Sequence, residues 1–213
     1  MIIILHVENS GEWGDNVRKA LRTLSIRGKE QPVRVLHRRS AQGGWDVLNA
    51  ADREMAPLAA NGQKVDAVIL DLMMEGGSQQ SWVTTVAELA TRVTAVRIQE
   101  LSIADLAAEL PTEELEAIDA RGSVLALGRA AARKGAKVII LTNAERFLKE
   151  GSLDTQAQQR IVMAVCGASA YIVKTDDDWD GRLRNELAGL LGNRFFAFPG
   201  WPFHTWRDKF LRM

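Results

Sequence analysis

Apolar residues along this chain fall into short unbroken runs and longer periodic stretches, and the two kinds alternate. Ile2 to Val7 (IIILHV) is a compact run that stops at the polar turn Glu8-Asn9-Ser10-Gly11, which predicts a buried strand with an acid at its end. Val17, Leu21 and Leu24 then recur at helical spacing among charged residues, predicting an amphipathic helix to about Ile26 with Gly28 as its stop. Pro32 to His37 (PVRVLH) reads as a second strand, more polar and so nearer a sheet edge. Over residues 44–60, Val47, Leu48, Ala51, Met55 and Leu58 share one helical face that Asn61-Gly62 closes, with Pro57 kinking or ending the last turn. A third strand covers Val65 to Leu72 and ends around Asp71, before a loop at 75–80.

The fourth strand, Lys137 to Thr142 (KVIILT), comes only after a long, mostly helical interval. Its segments are 82–96, 103–110 and 113–133, with Ser102 and Asp105 spaced as a capping box and acids following Pro111 where a helix start favours them. A helix over 155–165, a fifth strand at Ala170 to Lys174 (AYIVK) and a last helix over 179–191 complete the pattern. Five short strands alternating with helices predict an α/β fold, a doubly wound five-stranded parallel sheet with helices on both faces. Sites in such sheets lie beyond the C-terminal strand ends. The polar residues there are Glu8 and Asn9, Asp71, Thr142 and Lys174.

Composition narrows the function classes. At 213 residues the chain supports one elaborated domain better than two. Basic and acidic residues are equal at 27 each, so nothing in the balance points to nucleic acid or to an anionic membrane surface. The single cysteine, Cys166, excludes an internal disulfide and a cysteine metal cage, and its apolar setting predicts a buried thiol. No apolar run reaches bilayer length. The N-terminus has no basic segment ahead of its apolar run and reads as a first strand, not a signal peptide, so a cytoplasmic location is expected.

Asp71 is the first candidate for chemistry. An acid at a strand end either caps the next helix or turn or reacts, and four segments in order bear on the choice: LHVEN at 5–9, ILDLMM at 69–74, IILTNAE at 139–145 and GASAYIVKT at 167–175. Together they resemble the receiver domains of two-component response regulators, over roughly residues 1–75 and 122–192. The resemblance implies a flavodoxin-like sheet within residues 1–192, a helical insertion at about 78–121 between strands three and four, and a tail at 193–213 outside the domain. It implies that Asp71 accepts a phosphoryl group from a sensor histidine kinase or phosphotransfer protein. Lys174 would then contact the phosphoryl oxygens, and Thr142 would donate its hydroxyl to another. Glu8, Asn9, Asp71 and the backbone carbonyl of Met73 would hold Mg²⁺. Thr142 and Tyr171 would form the switch pair, with Tyr171 turning inward as Thr142 moves toward the phosphate.

Two positions depart from the family pattern. Asn9 stands where a second acid is expected, which removes one formal charge from a site for a divalent cation and predicts weakened or absent Mg²⁺ binding. Thr175 stands where a proline is common.

Two features fall outside the resemblance. The interval 78–121 places Val86, Leu89, Val93 and Val96 on one stripe and Ile103, Leu106 and Leu110 on another, suited to packing on the parent domain or to a partner. The tail holds seven of the chain's thirteen aromatic residues, and so apolar a segment folds back on the domain or covers a partner. Trp201, Phe203, Trp206 and Phe210 are its interaction candidates. The expected function is a stand-alone, atypical receiver, not an enzyme, signalling by protein–protein contact with a downstream protein or a second copy, with no nucleic acid or membrane partner. One alternative is a phosphorylation-independent pseudo-receiver acting as an interaction module. The other is an aspartate-nucleophile phosphatase resembling the haloacid dehalogenases, which the methionine at position 73 disfavours because it cannot serve as the general acid.

Overall fold

A computed structural model describes residues 1–73, 86, 95–120, 123–144 and 154–192. In chain order the elements are β1 (Ile2–Val7), α1 (Gly11–Ala20), β2 (Leu24–Ile26), β3 (Lys29–Gln31), β4 (Val33–Arg38), α2 (Ala41–Leu48), α3 (Ala56–Ala60) and β5 (Ala67–Leu70). They continue with α4 (Ala95–Glu100), α5 (Ile103–Glu109), α6 (Thr112–Ala120), α7 (Val124–Arg133), β6 (Lys137–Thr142), α8 (Thr155–Cys166), β7 (Ala170–Val173) and α9 (Trp179–Gly192).

The main sheet is five-stranded in the order β4-β1-β5-β6-β7, and every pairing in it is parallel. Counted in chain order within that sheet this is 2-1-3-4-5, the order of flavodoxin-like doubly wound folds. The period of two along each strand divides the core. Ile3, Leu5, Val7, Val68, Leu70, Val138 and Ile140 face α2, α7 and α8. Ile4, Ile69, Ile139, Leu141 and Ile172 face α1 and α9, meeting Val17, Leu21, Leu183 and Leu187. Helices therefore cover both faces, as the alternating pattern predicts.

Three predicted helices are interrupted. The helix expected to reach Ile26 ends at Ala20, and β2 pairs antiparallel with β3 in a separate two-stranded sheet. Leu24 and Ile26 are buried on either side of exposed Ser25, which is strand periodicity. The two-residue turn holds Arg27 at φ 55° and Gly28 at φ 74°, the left-handed geometry of a tight hairpin. The helix expected over residues 44–60 is split into α2 and α3, and Pro57 lies in the first turn of α3 instead of closing one long helix. Asp52 organises the break: its carboxylate accepts from the amides of Glu54 (2.8 Å) and Met55 (3.2 Å) and from Nε and Nη2 of Arg38 (2.8 and 2.6 Å). The helix expected over 113–133 is α6 and α7, because the Ser123 hydroxyl accepts from the Ala126 amide (3.3 Å) and starts a new helix. The third and fifth strands are also shorter than expected, at 67–70 and 170–173.

The Arg38 guanidinium holds the Asp52 carboxyl below the usual carboxylate range. Its stabilising contribution is present in full above the unfolded pKa near 4 and is lost as pH falls through the lower folded value. Asp52→Asn is therefore expected to cost about 1–3 kcal/mol at neutral pH, with the cost shrinking below about pH 4. Urea midpoints across that range are the measurement, and a cost independent of pH would contradict it.

Within the expected insertion, Val86, Ile98, Leu106, Leu110, Leu115 and Ile118 are buried in the same core cluster as Leu70 and Leu127. Ser102 caps α5 as its spacing predicts, accepting from the Asp105 amide at 3.1 Å. Leu89, Val93, the side chain of Val96, the loop 75–80 and the aromatic tail lie outside the described residues. No described helix is long and apolar enough to cross a membrane.

Candidate functional site

Three of the sequence-predicted side chains, Glu8, Asp71 and Lys174, come together at the C-terminal ends of the strands. Asp71 directly follows β5, its amide donating to the Val7 carbonyl (3.0 Å), and Lys174 directly follows β7, its amide donating to the Thr142 carbonyl (2.9 Å). These ladder bonds hold the two side chains at one edge of the sheet. Nζ of Lys174 donates to Oδ2 of Asp71 at 2.9 Å and also to Oε2 of Glu8. All three side chains are almost fully buried, each less than 5% exposed. A shared ammonium is what makes two neighbouring buried carboxylates tolerable.

The second oxygen of each carboxylate is held by backbone. Oε1 of Glu8 accepts from the Ser10 amide (2.9 Å), and Oδ1 of Asp71 accepts from the Met73 amide (3.0 Å). Ser10 also caps α1, its hydroxyl accepting from the Trp13 amide at 3.4 Å, so the turn after β1 fixes both the acid and the helix. Burial pushes the Glu8 carboxyl up from its ordinary range, against the pull of the Lys174 ammonium and the Ser10 amide.

Thr142 is fully buried and its hydroxyl accepts from the Ala144 amide at 3.3 Å. By strand parity it lies on the α7/α8 side of the sheet, while Glu8, Asp71 and Lys174 share the α1/α9 side. Tyr171 packs on the Thr142 side, and its hydroxyl donates to the Ala144 carbonyl. The backbone of Ala144 thus meets both members of the expected switch pair. Burial raises the Tyr171 pKa, with the Asp71 charge adding to it.

Asn9 is half-buried beside Glu8, and its backbone carbonyl accepts from Nε of Arg39 at 2.9 Å. Met73 is exposed and touches the site through its amide. Among the described residues no peptide bond is cis, so Thr175 follows Lys174 through a trans bond. Cys166 is buried, and burial pushes its thiol up to about 12, as its apolar setting predicts. Trp201, Phe203, Trp206 and Phe210 lie outside the described residues.

Sequence reasoning passed over the aromatic cover of the site. The ring of Trp13, in the first turn of α1, lies 4.9 Å from Nζ of Lys174, and Trp179 meets Trp13 edge-on at 5.1 Å. An indole over a desolvated ammonium adds a cation–π attraction and limits water at the lysine. The available signal was position: Trp13 and Trp179 each follow a strand end that carries a site residue.

It also passed over a histidine pair beneath the site. The His37 ring lies tilted against that of His6, centroids 5.3 Å apart, and its Nε2 lies 2.6 Å from the Glu8 carbonyl. A carbonyl can only accept, so Nε2 carries the proton. A Cβ on Gly14 would fall 2.5 Å from the His37 ring, so a glycine in α1 is what admits that ring. His6 is fully buried, and neither ring nitrogen has a hydrogen-bond partner among the described residues. Burial holds its pKa well below the ordinary value, with His37, Lys174 and Arg18 adding to the effect.

Mg²⁺ takes hard oxygen ligands, commonly one or two carboxylates completed by water and phosphate. Glu8 and Asp71 supply two carboxylates, with the Asn9 amide and backbone carbonyls as neutral oxygens nearby in sequence. Among the described residues no group of three or more His, Cys, Asp or Glu side chains could hold a metal ion. The donor set fits Mg²⁺ in kind and falls one charge short of a three-carboxylate site.

No protein-family model matches the chain, and no curated protein matches it. Among solved structures, it is similar to a response regulator in its Mn²⁺-bound form, at 14% identity over 95% of this chain and 98% of that one, with a TM-score of 0.41. It is also similar to a response regulator receiver domain protein from Clostridium thermocellum, at 16% identity over 92% and 97%, TM-score 0.41. A third is the signal receiver domain of an HD domain-containing protein from Pseudomonas fluorescens, at 12% identity over 91% and 98%, TM-score 0.40.

Proposed function

We propose that the chain is an atypical receiver-like signalling module in which Asp71 accepts a phosphoryl group and the output is binding to another protein. The observation that carries this reading is the buried Lys174 ammonium bonded at once to Asp71 and Glu8, at the C-terminal edge of a 2-1-3-4-5 parallel sheet. Such a lysine sets a fixed positive charge against the Asp71 carboxylate, and it is placed to follow a phosphoryl group once one is attached.

In the transfer, a carboxylate oxygen of Asp71 forms a bond to phosphorus as the donor's P–N or P–O bond breaks. The departing imidazole or acetate takes the bonding pair. Lys174 exchanges its contact with Oδ2 for the phosphoryl oxygens, and Thr142 turns its hydroxyl toward another. Glu8, Asn9, Asp71 and the Met73 carbonyl would hold Mg²⁺, which supplies positive charge against the phosphoryl oxygens. Movement of Thr142 shifts the segment to Ala144 and releases the Tyr171 hydroxyl, changing the surface beside β6 and β7. A sensor histidine kinase or phosphotransfer protein is the donor on this reading. A downstream protein or a second copy reads the changed surface.

The test is incubation of the full chain with acetyl phosphate and millimolar Mg²⁺. The expected result is a mass increase of one phosphoryl group that is labile to base and absent in Asp71→Asn. No increase at all would overturn phosphoryl transfer and favour a phosphorylation-independent interaction module, in which Lys174 permanently bridges the two acids. Continuous release of phosphate from a phosphate ester would instead favour a hydrolytic enzyme.

A further inference from the structure

β4 is the outermost strand of the main sheet, and among the described residues no strand pairs with its outer edge. The carbonyl of Pro32 accepts from the Ile2 amide (2.8 Å) and that of Arg38 from the Glu8 amide (3.0 Å), so the even-numbered residues turn their backbone groups toward β1. The period of two leaves those of Val33, Val35 and His37 facing outward. The His37 carbonyl is taken by Nη1 of Arg38 at 2.8 Å. Val33 and Val35 present the open stretch of the edge.

Beside that stretch, α1 and β4 enclose a groove of about 520 Å³ whose lining includes Val33 and Val35 and four cations, Arg18, Lys19, Arg22 and Arg34. Arg18, Lys19 and Arg22 are exposed. Against them the described lining holds one acid, Asp15, which pairs with Arg18 at 2.7 Å; outside it, Glu54 approaches Arg34 at 4.0 Å. The groove keeps net positive charge after both pairs are counted.

Charge of one sign along an open edge keeps a second copy of the same edge away and attracts a strand of the opposite sign. Residues 193–213 carry Arg194, Arg207, Lys209 and Arg212 against Asp208, so the chain's own tail has the wrong charge for this groove. We propose that the groove is a docking site for an extended acidic segment of a partner protein, which adds a strand to β4 and lays its carboxylates along Arg18, Lys19 and Arg22. The backbone groups of Val33 and Val35 supply affinity that is indifferent to sequence, and the basic side chains supply the selection for acids. None of these residues belongs to the Asp71 site, so docking is independent of phosphoryl transfer.

The test uses the full chain and a short fluorescent peptide alternating Thr and Glu, followed by anisotropy. Saturable binding is expected, weakening by about tenfold or more between low salt and about 0.5 M salt. Lys19→Glu combined with Arg22→Glu is expected to weaken it by a similar factor; both positions are exposed, and an unchanged thermal midpoint verifies the fold. A peptide N-methylated at alternate residues is expected to lose binding, and the amides of Val33 and Val35 to exchange more slowly in the complex. Asp71→Asn should bind as the unaltered chain does. The proposal is overturned if the acidic peptide does not bind, if charge reversal leaves affinity unchanged, or if the N-methylated peptide binds equally well.

Discussion

Lys174→Met is expected to destabilise the protein by about 3–5 kcal/mol, the largest effect of any single substitution at the strand ends. Methionine keeps the length of the side chain and removes the charge. Glu8 and Asp71 would then be two buried carboxylates without the ammonium that now bonds both, and they could remain together only by sharing a proton. Glu8→Gln in the same chain removes one of the two charges and should restore a substantial part of the loss. Denaturant midpoints of the single and double variants measure this directly. A single variant as stable as the unaltered chain would mean that the bridge contributes nothing, and equal loss in both variants would mean that Lys174 acts through packing against Trp13.

Asn9→Asp is expected to lower the Mg²⁺ concentration needed for half-maximal labelling of Asp71 by about tenfold or more, on the proposal that Asp71 is phosphorylated. Two unit charges 4 Å apart interact by about 4 kcal/mol at an effective dielectric of 20, and more for a divalent ion. If only about a third of that survives screening and rearrangement, it amounts to a factor of about ten. The Asn9 backbone is already tied to Arg39, so the substitution changes charge with little demand on the loop. Titration of the acetyl-phosphate reaction with Mg²⁺ reads the shift. An unchanged half-maximal concentration would place position 9 outside the metal's coordination sphere.

The strands show how far sequence pattern reaches here. IIIL, AVIL and VIIL, within β1, β5 and β6, are unbroken apolar runs because both faces of a central parallel strand are covered, and that alone identifies them. PVRVLH is more polar, and among the described residues β4 pairs on one side only; that polarity is what made its edge position legible. The helix ends were less legible. Leu24 and Ile26 fit a helical face and a strand face equally well over so short a span, and the hairpin that decided between them depends on pairing with Lys29 to Gln31. Asp52 broke the helix over residues 44–60 by bonding to Arg38 of β4, a partner too far along the chain for local periodicity to register.

The same division holds at the site. By itself the sequence determined that Glu8, Asn9, Asp71, Thr142 and Lys174 lie at strand ends, because apolar runs of fixed length stop there and parallel strands all end at one edge. Only the tertiary structure decided how those residues share charge. Strand parity puts Thr142 and Tyr171 on one side of the sheet and Glu8, Asp71 and Lys174 on the other, and register brings Nζ of Lys174 to both acids at once. It likewise brought Trp13 and Trp179 together over the lysine, two residues 166 positions apart whose contact no local pattern encodes. Spacing along a chain fixes which face and which end a residue occupies; contact between elements depends on the packing of all of them.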